Sequence, residues 1–407
     1  MRIGVGLLLF LVAAVCCTPN GPLAPEASRS PASISATPSV SPSPSPVASP
    51  SQTPSPTPSP NPPPVAVPAW AAHRASCAGT PAAQEAVIKL QGAAQPVLAD
   101  VSNAKSPRTI CGISGGSFQP QLVTQRMISW YATQGTPNTP ATSVIAVLDL
   151  FKGVSTVAAT WSGGSFMDGL HAWSPDRAFL AYIASDTNGV ALHLLSGGGD
   201  RVVTTMGPVP GRGPDPNQDD AYLAFSPDGA YFALVQTFTS SGDQLQVRRT
   251  LDGSLVFSLS KGTMATWGSA GSKLYYRMPN SSAVQVWDSV KGVSQAISNV
   301  AWIRPRADAG DDNIVFTVRD SAGTPHVWLY GHGGRSGGQL PNARSSPIWL
   351  TTTDFFYVEE AVCSTNCGIG PAWQPNGTTF TVDLALQAET ASKISQVYSA
   401  WPRPGQI

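Results

Sequence analysis

Residues 223–236 read LAFSPDGAYFALVQ, and residues 171–184 read HAWSPDRAFLAYIA. Both open on an aromatic residue, Phe225 or Trp173, then Ser-Pro-Asp, then a short apolar run. Proline presets φ at the first corner of a turn, and Gly229 tolerates φ > 0 at its end. Such a turn joins two antiparallel strands. The runs FALVQ and LAYIA are short, apolar and partly β-branched, as strands buried on both faces are.

Weaker copies of the opening surround Trp267, Trp302, Trp349 and Phe118. Their spacing is irregular but centres on the length of a propeller blade. Downstream of the openings, SVIAVLDLFKG (Asp149, Gly153) and AVQVWDSVKG (Asp288, Gly292) both place Asp four residues before Gly. An Asp there caps a turn by accepting backbone N–H groups. Four short strands per repeat, with no helical pattern after residue 118, predict an all-β array of small radial sheets.

The Trp/Phe-Ser-Pro-Asp-Gly opening resembles the WD40-like repeats of TolB-type propellers. The resemblance covers most of residues 118–407, and two copies keep Ser-Pro-Asp. It implies a β-propeller and an exported or envelope location, and no particular ligand. We expect four-stranded blades, seven in number. The C-terminal SAWPRP supplies a first strand with no successor, and residues 86–113 supply second, third and fourth strands with no predecessor. If the ends meet, the C-terminal strand closes the ring. The alternative is six blades, with residues 70–112 as a separate cap in which PAAQEAVIKLQGAA is helical.

Outside the repeats, Arg2 is followed by the apolar stretch Ile3–Val15, too short to span a bilayer, and by Cys16 and Cys17. Residues 1–17 are similar to a bacterial lipoprotein signal, which implies a lipid on Cys16 or Cys17. The pattern has Leu three before the Cys and Gly or Ala directly before it, and neither cysteine meets it in full. Residues 18–68 are dominated by Pro, Ser, Thr and Ala. They lack the apolar side chains to offset ordering entropy and read as an extended stalk. Residues 69–407 are then the propeller. An anchored domain needs such a spacer, so the expected location is the cell membrane, lipid-anchored and extracytoplasmic, with secretion as the alternative.

Cys77, Cys111, Cys363 and Cys367 remain. An even count in an exported chain suggests disulfides, Cys363 to Cys367 and Cys77 to Cys111. Formal net charge is zero and charged residues are only 12% of the chain. That excludes the clustered Lys and Arg of a nucleic-acid surface.

GISGG, Gly112–Gly116, matches the G-x-S-x-G elbow, but strands flank it and no helix follows, so Ser114 reads as part of a turn. The histidines His73, His171, His193, His326 and His332 form no metal spacing. In GRGPDPNQDD, Asp215, Asn217 and Asp219 resemble the start of a calcium loop, but Gly is missing at the sixth position and Glu at the twelfth. A second acidic loop, RADAGDDN, spans residues 306–313, and both loops are expected at one rim. The segment 361–377, with Trp373, reads as a disulfide-braced excursion. Tyr222, Trp302 and Trp373 are candidate binding contacts. The function expected is non-enzymatic binding of an envelope protein or glycan by a monomer without cofactor. The alternative is a propeller-type hydrolase, lactonase-like or glycan-cleaving, using channel carboxylates and calcium.

Overall fold

In the computed structural model, residues 65–401 are described except 116–118, 137–138, 164–169, 187–188, 208–221, 237–243, 261–262, 269–272, 279–282, 300–302, 308–312, 332–335, 364–372 and 385–387. The strands follow in chain order. β1 (Arg74–Cys77), β2 (Glu85–Leu90), β3 (Val97–Asp100) and β4 (Arg108–Ser114) come first. β5 (Gln121–Thr124), β6 (Met127–Thr136), β7 (Thr139–Asp149) and β8 (Val154–Ser162) form the next sheet. Then come β9 (His171–Trp173), β10 (Phe179–Asp186), β11 (Gly189–Ser196) and β12 (Gly199–Gly207). β13 (Tyr222–Phe225), β14 (Tyr231–Gln236), β15 (Gln244–Arg249) and β16 (Leu255–Ser260) follow. β17 (Thr263–Trp267), β18 (Lys273–Arg277), β19 (Ala283–Asp288) and β20 (Gly292–Asn299) make another sheet, and β21 (Ile303–Ala307), β22 (Ile314–Arg319), β23 (Pro325–Tyr330) and β24 (Ser336–Asn342) the one after. The last strands are β25 (Arg344–Trp349), β26 (Asp354–Val362), β27 (Trp373–Asp383), β28 (Ala388–Ala391) and β29 (Ile394–Trp401).

The expectation of seven like, four-stranded blades closed by the C-terminal strand is corrected: the propeller has six four-stranded blades. The described residues form six four-stranded sheets, each an antiparallel meander of consecutive strands, and one sheet of a different build. That sheet has five strands in the order β1-β4-β3-β2-β29, drawn from both ends of the described chain. Its additional strand, β1, lies on the outer side of β4 with Arg74 opposite Ser114. On the inner side β29 runs antiparallel to β2, from Glu85 opposite Trp401 to Leu90 opposite Ile394. PAAQEAVIKLQGAA is not helical; its apolar centre is β2.

The core lies between sheets, which is why the second and third strands are apolar on both faces. Ala181, Ile183, Leu192 and Leu194 meet Leu223, Phe225, Phe232 and Leu234 of the following blade. Ile88 and Ala99 meet Leu350 and Phe356 in the same way, across the sheet that joins the two ends. The Ser-Pro-Asp turns repeat atom for atom. Ser174 Oγ donates to Asp176 Oδ1 and Ser226 Oγ to Asp228 Oδ1, both at 2.6 Å. Each Ser oxygen also accepts a backbone N–H, from Phe179 at 2.9 Å and Tyr231 at 3.0 Å. The Asp-to-Gly turns are capped as expected: Asp149 Oδ1 accepts from Lys152 N–H at 3.0 Å, and Asp288 Oδ1 from Val290 N–H at 2.8 Å.

Val157 N–H donates to Val65 O at 2.9 Å, and Ala66 bridges Thr156, so the end of the expected stalk already lies on the edge of β8. Among the described residues no helix is long and apolar enough to cross a membrane.

Candidate functional site

A cavity of about 160 Å³ lies among the first strands of several blades. Its walls include Gln121, Trp173, Tyr222, Phe225, Thr266 and Trp267. Two of the aromatic walls, Tyr222 and Trp267, are held by hydrogen bonds. Trp267 N–H donates to the Tyr222 hydroxyl at 3.1 Å, and Trp267 Nε1 donates to Ala224 O at 2.9 Å. Apolar rings fixed beside a few polar groups suit a ligand with a flat apolar face and hydrogen-bonding edges.

The candidate contacts meet different fates. Tyr222 is half-buried at the start of β13 and lines this cavity. Trp302 lies outside the described residues. Trp373, half-buried at the start of β27, packs on the β22–β23 turn of the neighbouring blade: a Cβ on Gly323 would stand 3.7 Å from its Cδ1. It is an inter-blade contact and not part of the cavity wall. Asp215, Asn217 and Asp219 lie outside the described residues, as does His332. Among the described residues no group of three or more His, Cys, Asp or Glu is placed to hold a metal ion.

The acidic loops expected at one rim fall on residues 208–221 and 308–312, and most of the braced excursion on residues 364–372; these lie outside the described residues.

Cys77 and Cys111 form a disulfide between directly paired residues of β1 and β4. Cys363 is also disulfide-bonded, and Cys367 lies outside the described residues. Ser114 ends β4 on the surface, with its Oγ 3.5 Å from Arg74 O. The glycine after it answers a packing demand: a Cβ on Gly115 would come 1.8 Å from His73 Nδ1. Gly163, in the similar WSGG, would meet Ser185 O at 2.1 Å. Close approach of a neighbour, and not exposure of a nucleophile, explains Gly115 and Gly163.

The remaining histidines and many acidic groups tie strands together. Ser129 Oγ and His171 Nε2 are 2.9 Å apart and fully buried between two blades. Asp200 Oδ2 accepts from the Tyr182 hydroxyl at 2.8 Å and sits 3.0 Å from His193 Nδ1. Burial works to raise the Asp200 carboxyl pKa, but the bonds from His193 and Tyr182 outweigh it and hold the pKa below the usual value. His193, Tyr182, Trp161 and Tyr131 stack in a row with centroid spacings of 4.9, 5.5 and 5.8 Å. His326 Nε2 lies 3.1 Å from Asp320 Oδ2 across the β22–β23 turn.

A buried ionic group was not anticipated. Arg344 donates to Glu359 at 2.6 Å and to Glu389 at 2.8 Å, and its guanidinium lies 4.1 Å over the Phe380 ring. The Tyr357 hydroxyl donates to the other oxygen of Glu389. Arg319 reaches Glu360 of the next blade at 3.0 Å. Arg344 lies in a degenerate repeat with no Ser-Pro-Asp turn, so no motif marks it. The available signal was the pair Glu359-Glu360 ending an apolar strand, since buried acids require cationic partners.

No protein-family model matches the sequence, and no curated protein is similar to it. Solved structures are similar in fold. TolB from Acinetobacter baumannii is 17% identical, with 63% of each chain covered and a TM-score of 0.41. The β-propeller domain of the Trilobed protease from Pyrococcus furiosus is 8% identical over 68% of this chain and 93% of that one, with a TM-score of 0.44. The tricorn protease is 9% identical over 77% of this chain and 35% of that one, with a TM-score of 0.47. The chain therefore spans less than two thirds of TolB and about a third of the tricorn protease. The strand pairing described above defines a multi-bladed β-propeller independently of these likenesses.

Proposed function

We propose that this chain is a binding propeller of the WD40-like, TolB-type kind, displayed outside a cell membrane through a lipid on Cys16 or Cys17. The observation that carries the binding reading is the aromatic-walled cavity at the first strands, with Tyr222 on its wall. Rings of this kind stack on sugars and on apolar side chains, so the partner class is an envelope glycan or protein. The short apolar stretch before Cys16, the Pro-rich spacer behind it and the Cys77–Cys111 disulfide support the location, since disulfides persist in oxidising compartments.

The test is capture from an envelope extract with the native chain and with Gln121→Trp, which fills the cavity from a half-exposed position. We expect a specific partner to be lost while near-UV circular dichroism is unchanged. Reproducible turnover in a hydrolase screen with added calcium, abolished by Asp215→Ala and Asp219→Ala, would overturn the binding reading. The anchor is tested separately. Cys16→Ser with Cys17→Ser is expected to release the chain from the membrane fraction.

A further inference from the structure

The outer edges of the sheets are protected in different ways. β4 is covered by β1, and β8 is met by Val65 and Ala66. β12 carries Asp200 and Arg201, β24 contains Pro341, and β28 is four residues long and carries Glu389. β20 breaks register midway, between the partners of Val284 and Val286. Charges, prolines, short strands and bulges all discourage pairing with another chain.

β16 has none of these over most of its length. It reads LVFSLS, with no charge and no proline. Its register shift is confined to its start, and Phe257–Ser260 pair regularly with Val247–Gln244. Leu255 is 50% and Val256 39% exposed. Phe257 anchors the strand from behind, 5.7 Å from Tyr276 and 6.3 Å from Trp287 of the next blade. Among the described residues no strand pairs with its outer side. Residues 18–64 and 402–407 are poorly suited to fill it. Residues 18–64 carry a proline every few positions, and the tail 402–407 has two in six residues. Proline cannot donate to a ladder.

We propose that β16 is a dimerisation edge, on which two copies of this chain pair β16 antiparallel about a two-fold axis. An uncharged strand places no like charges opposite one another when it pairs with itself, and a two-fold contact is closed and finite. The pairing joins two four-stranded blades into one eight-stranded sheet and replaces the monomer expected from the sequence.

The experiment is sedimentation over a dilution series, using the full chain with Cys16 and Cys17 replaced by Ser to keep it out of detergent. A monomer–dimer equilibrium is expected. Val256→Lys places charge at the edge and is expected to raise the apparent Kd at least about tenfold. Ser258→Cys, at the strand centre, is expected to yield a reducible cross-linked dimer that the parent chain does not form. Near-UV circular dichroism of both variants reports whether the propeller is intact. A parent chain that stays monomeric at the highest concentration overturns the proposal. So does a dimer that Val256→Lys leaves unchanged and Ser258→Cys does not cross-link.

Discussion

The four-stranded blade of β13–β16 and the five-stranded sheet that joins the chain ends hold their strands in register by opposite means. In the first, the strands are consecutive, and the turn after β13 is built within six residues: Ser226 N–H donates to Tyr231 O at 2.8 Å and Gly229 N–H to Ser226 O at 2.9 Å. In the second, Ser395 Oγ of β29 donates to Lys89 O at 3.1 Å across 306 residues of chain. A local turn closes a short loop at little entropic cost, whereas a contact between chain ends closes the whole domain. The end-joining sheet must therefore recover more from burial and covalent bonding. It does so through Ile394 and Val397, which are buried in its core, and through the Cys77–Cys111 disulfide on its outer strand.

Removing β29 breaks that comparison most severely. Truncation after Lys393 deletes two buried aliphatic side chains and bares the inner edge of β2. We expect a loss of more than about 5 kcal/mol, read as aggregation or as a lost cooperative transition in urea. Unfolding as cooperative as that of the full chain would mean that the domain does not depend on the join.

The disulfide comes next. Cys77 and Cys111 are 34 residues apart, and on the loop-entropy estimate their bond contributes about 3–4 kcal/mol. Cys77→Ser with Cys111→Ser is expected to lower the urea midpoint by the corresponding amount. Hydrogen exchange should quicken first in β1, which pairs only with β4. Uniform quickening across all blades would show that β1 is no more local in its stability than the rest.

On the regular side the effect is smaller. Asp228→Ala removes the acceptor of the Ser226 hydroxyl and of the Ala230 N–H, at 2.6 and 3.1 Å. A cost of about 1 kcal/mol is expected in equilibrium unfolding, and the same for Asp176→Ala in the sister turn. The pair sharpens the comparison, because unequal costs would show that the two turns differ in more than sequence. One difference is already visible: Arg177 holds φ 64° where Gly229 holds 71°. Glycine adopts that region without the steric cost a side chain brings.

The same contrast explains how much could be read in advance. The Ser-Pro-Asp turns and the Asp-to-Gly turns are short, and every atom they use lies within six residues. Their strands were legible from sequence for that reason. β1 was not, because RASC is only four residues long, and its place is set by Cys111, 34 residues further along the chain. The Arg344 group failed for the same reason: its partners come from three strands, and nothing local to Arg344 announces Glu389. Tyr222 was singled out for lying beside an acidic loop. Its place on the cavity wall comes from its position on β13, the first strand of its blade, and not from the loop.

The last prediction concerns a buried acid in the end-joining sheet that has no counterpart in the regular blade. Glu85 on β2 has no exposed surface and stands between Asp100 on β3 and Trp401 on β29. One carboxyl oxygen accepts the Ala82 N–H at 2.6 Å, and the other has no hydrogen-bond partner among the described residues. Burial pushes its pKa above the ordinary value of 4.5; the Ala82 bond opposes that, Asp100 adds to it, and Arg126 opposes it. The folded chain therefore keeps a proton that the unfolded chain releases. The resulting stability is fully present below pH 4.5 and is lost as pH rises through the higher native pKa. Asp100 and Asp200 act in the opposite sense, because their pKa values are held below 3.8 and their contribution is lost only as pH falls through those values. The two windows do not overlap, so they can be separated. Glu85→Gln keeps the acceptor for Ala82 and cannot ionise. Its thermal midpoint should follow that of the parent chain in acid and lie above it at neutral and alkaline pH, with the gap opening above pH 4.5. Parallel profiles, or a variant less stable than its parent at pH 8, would show that Glu85 is ionised and satisfied in the native fold.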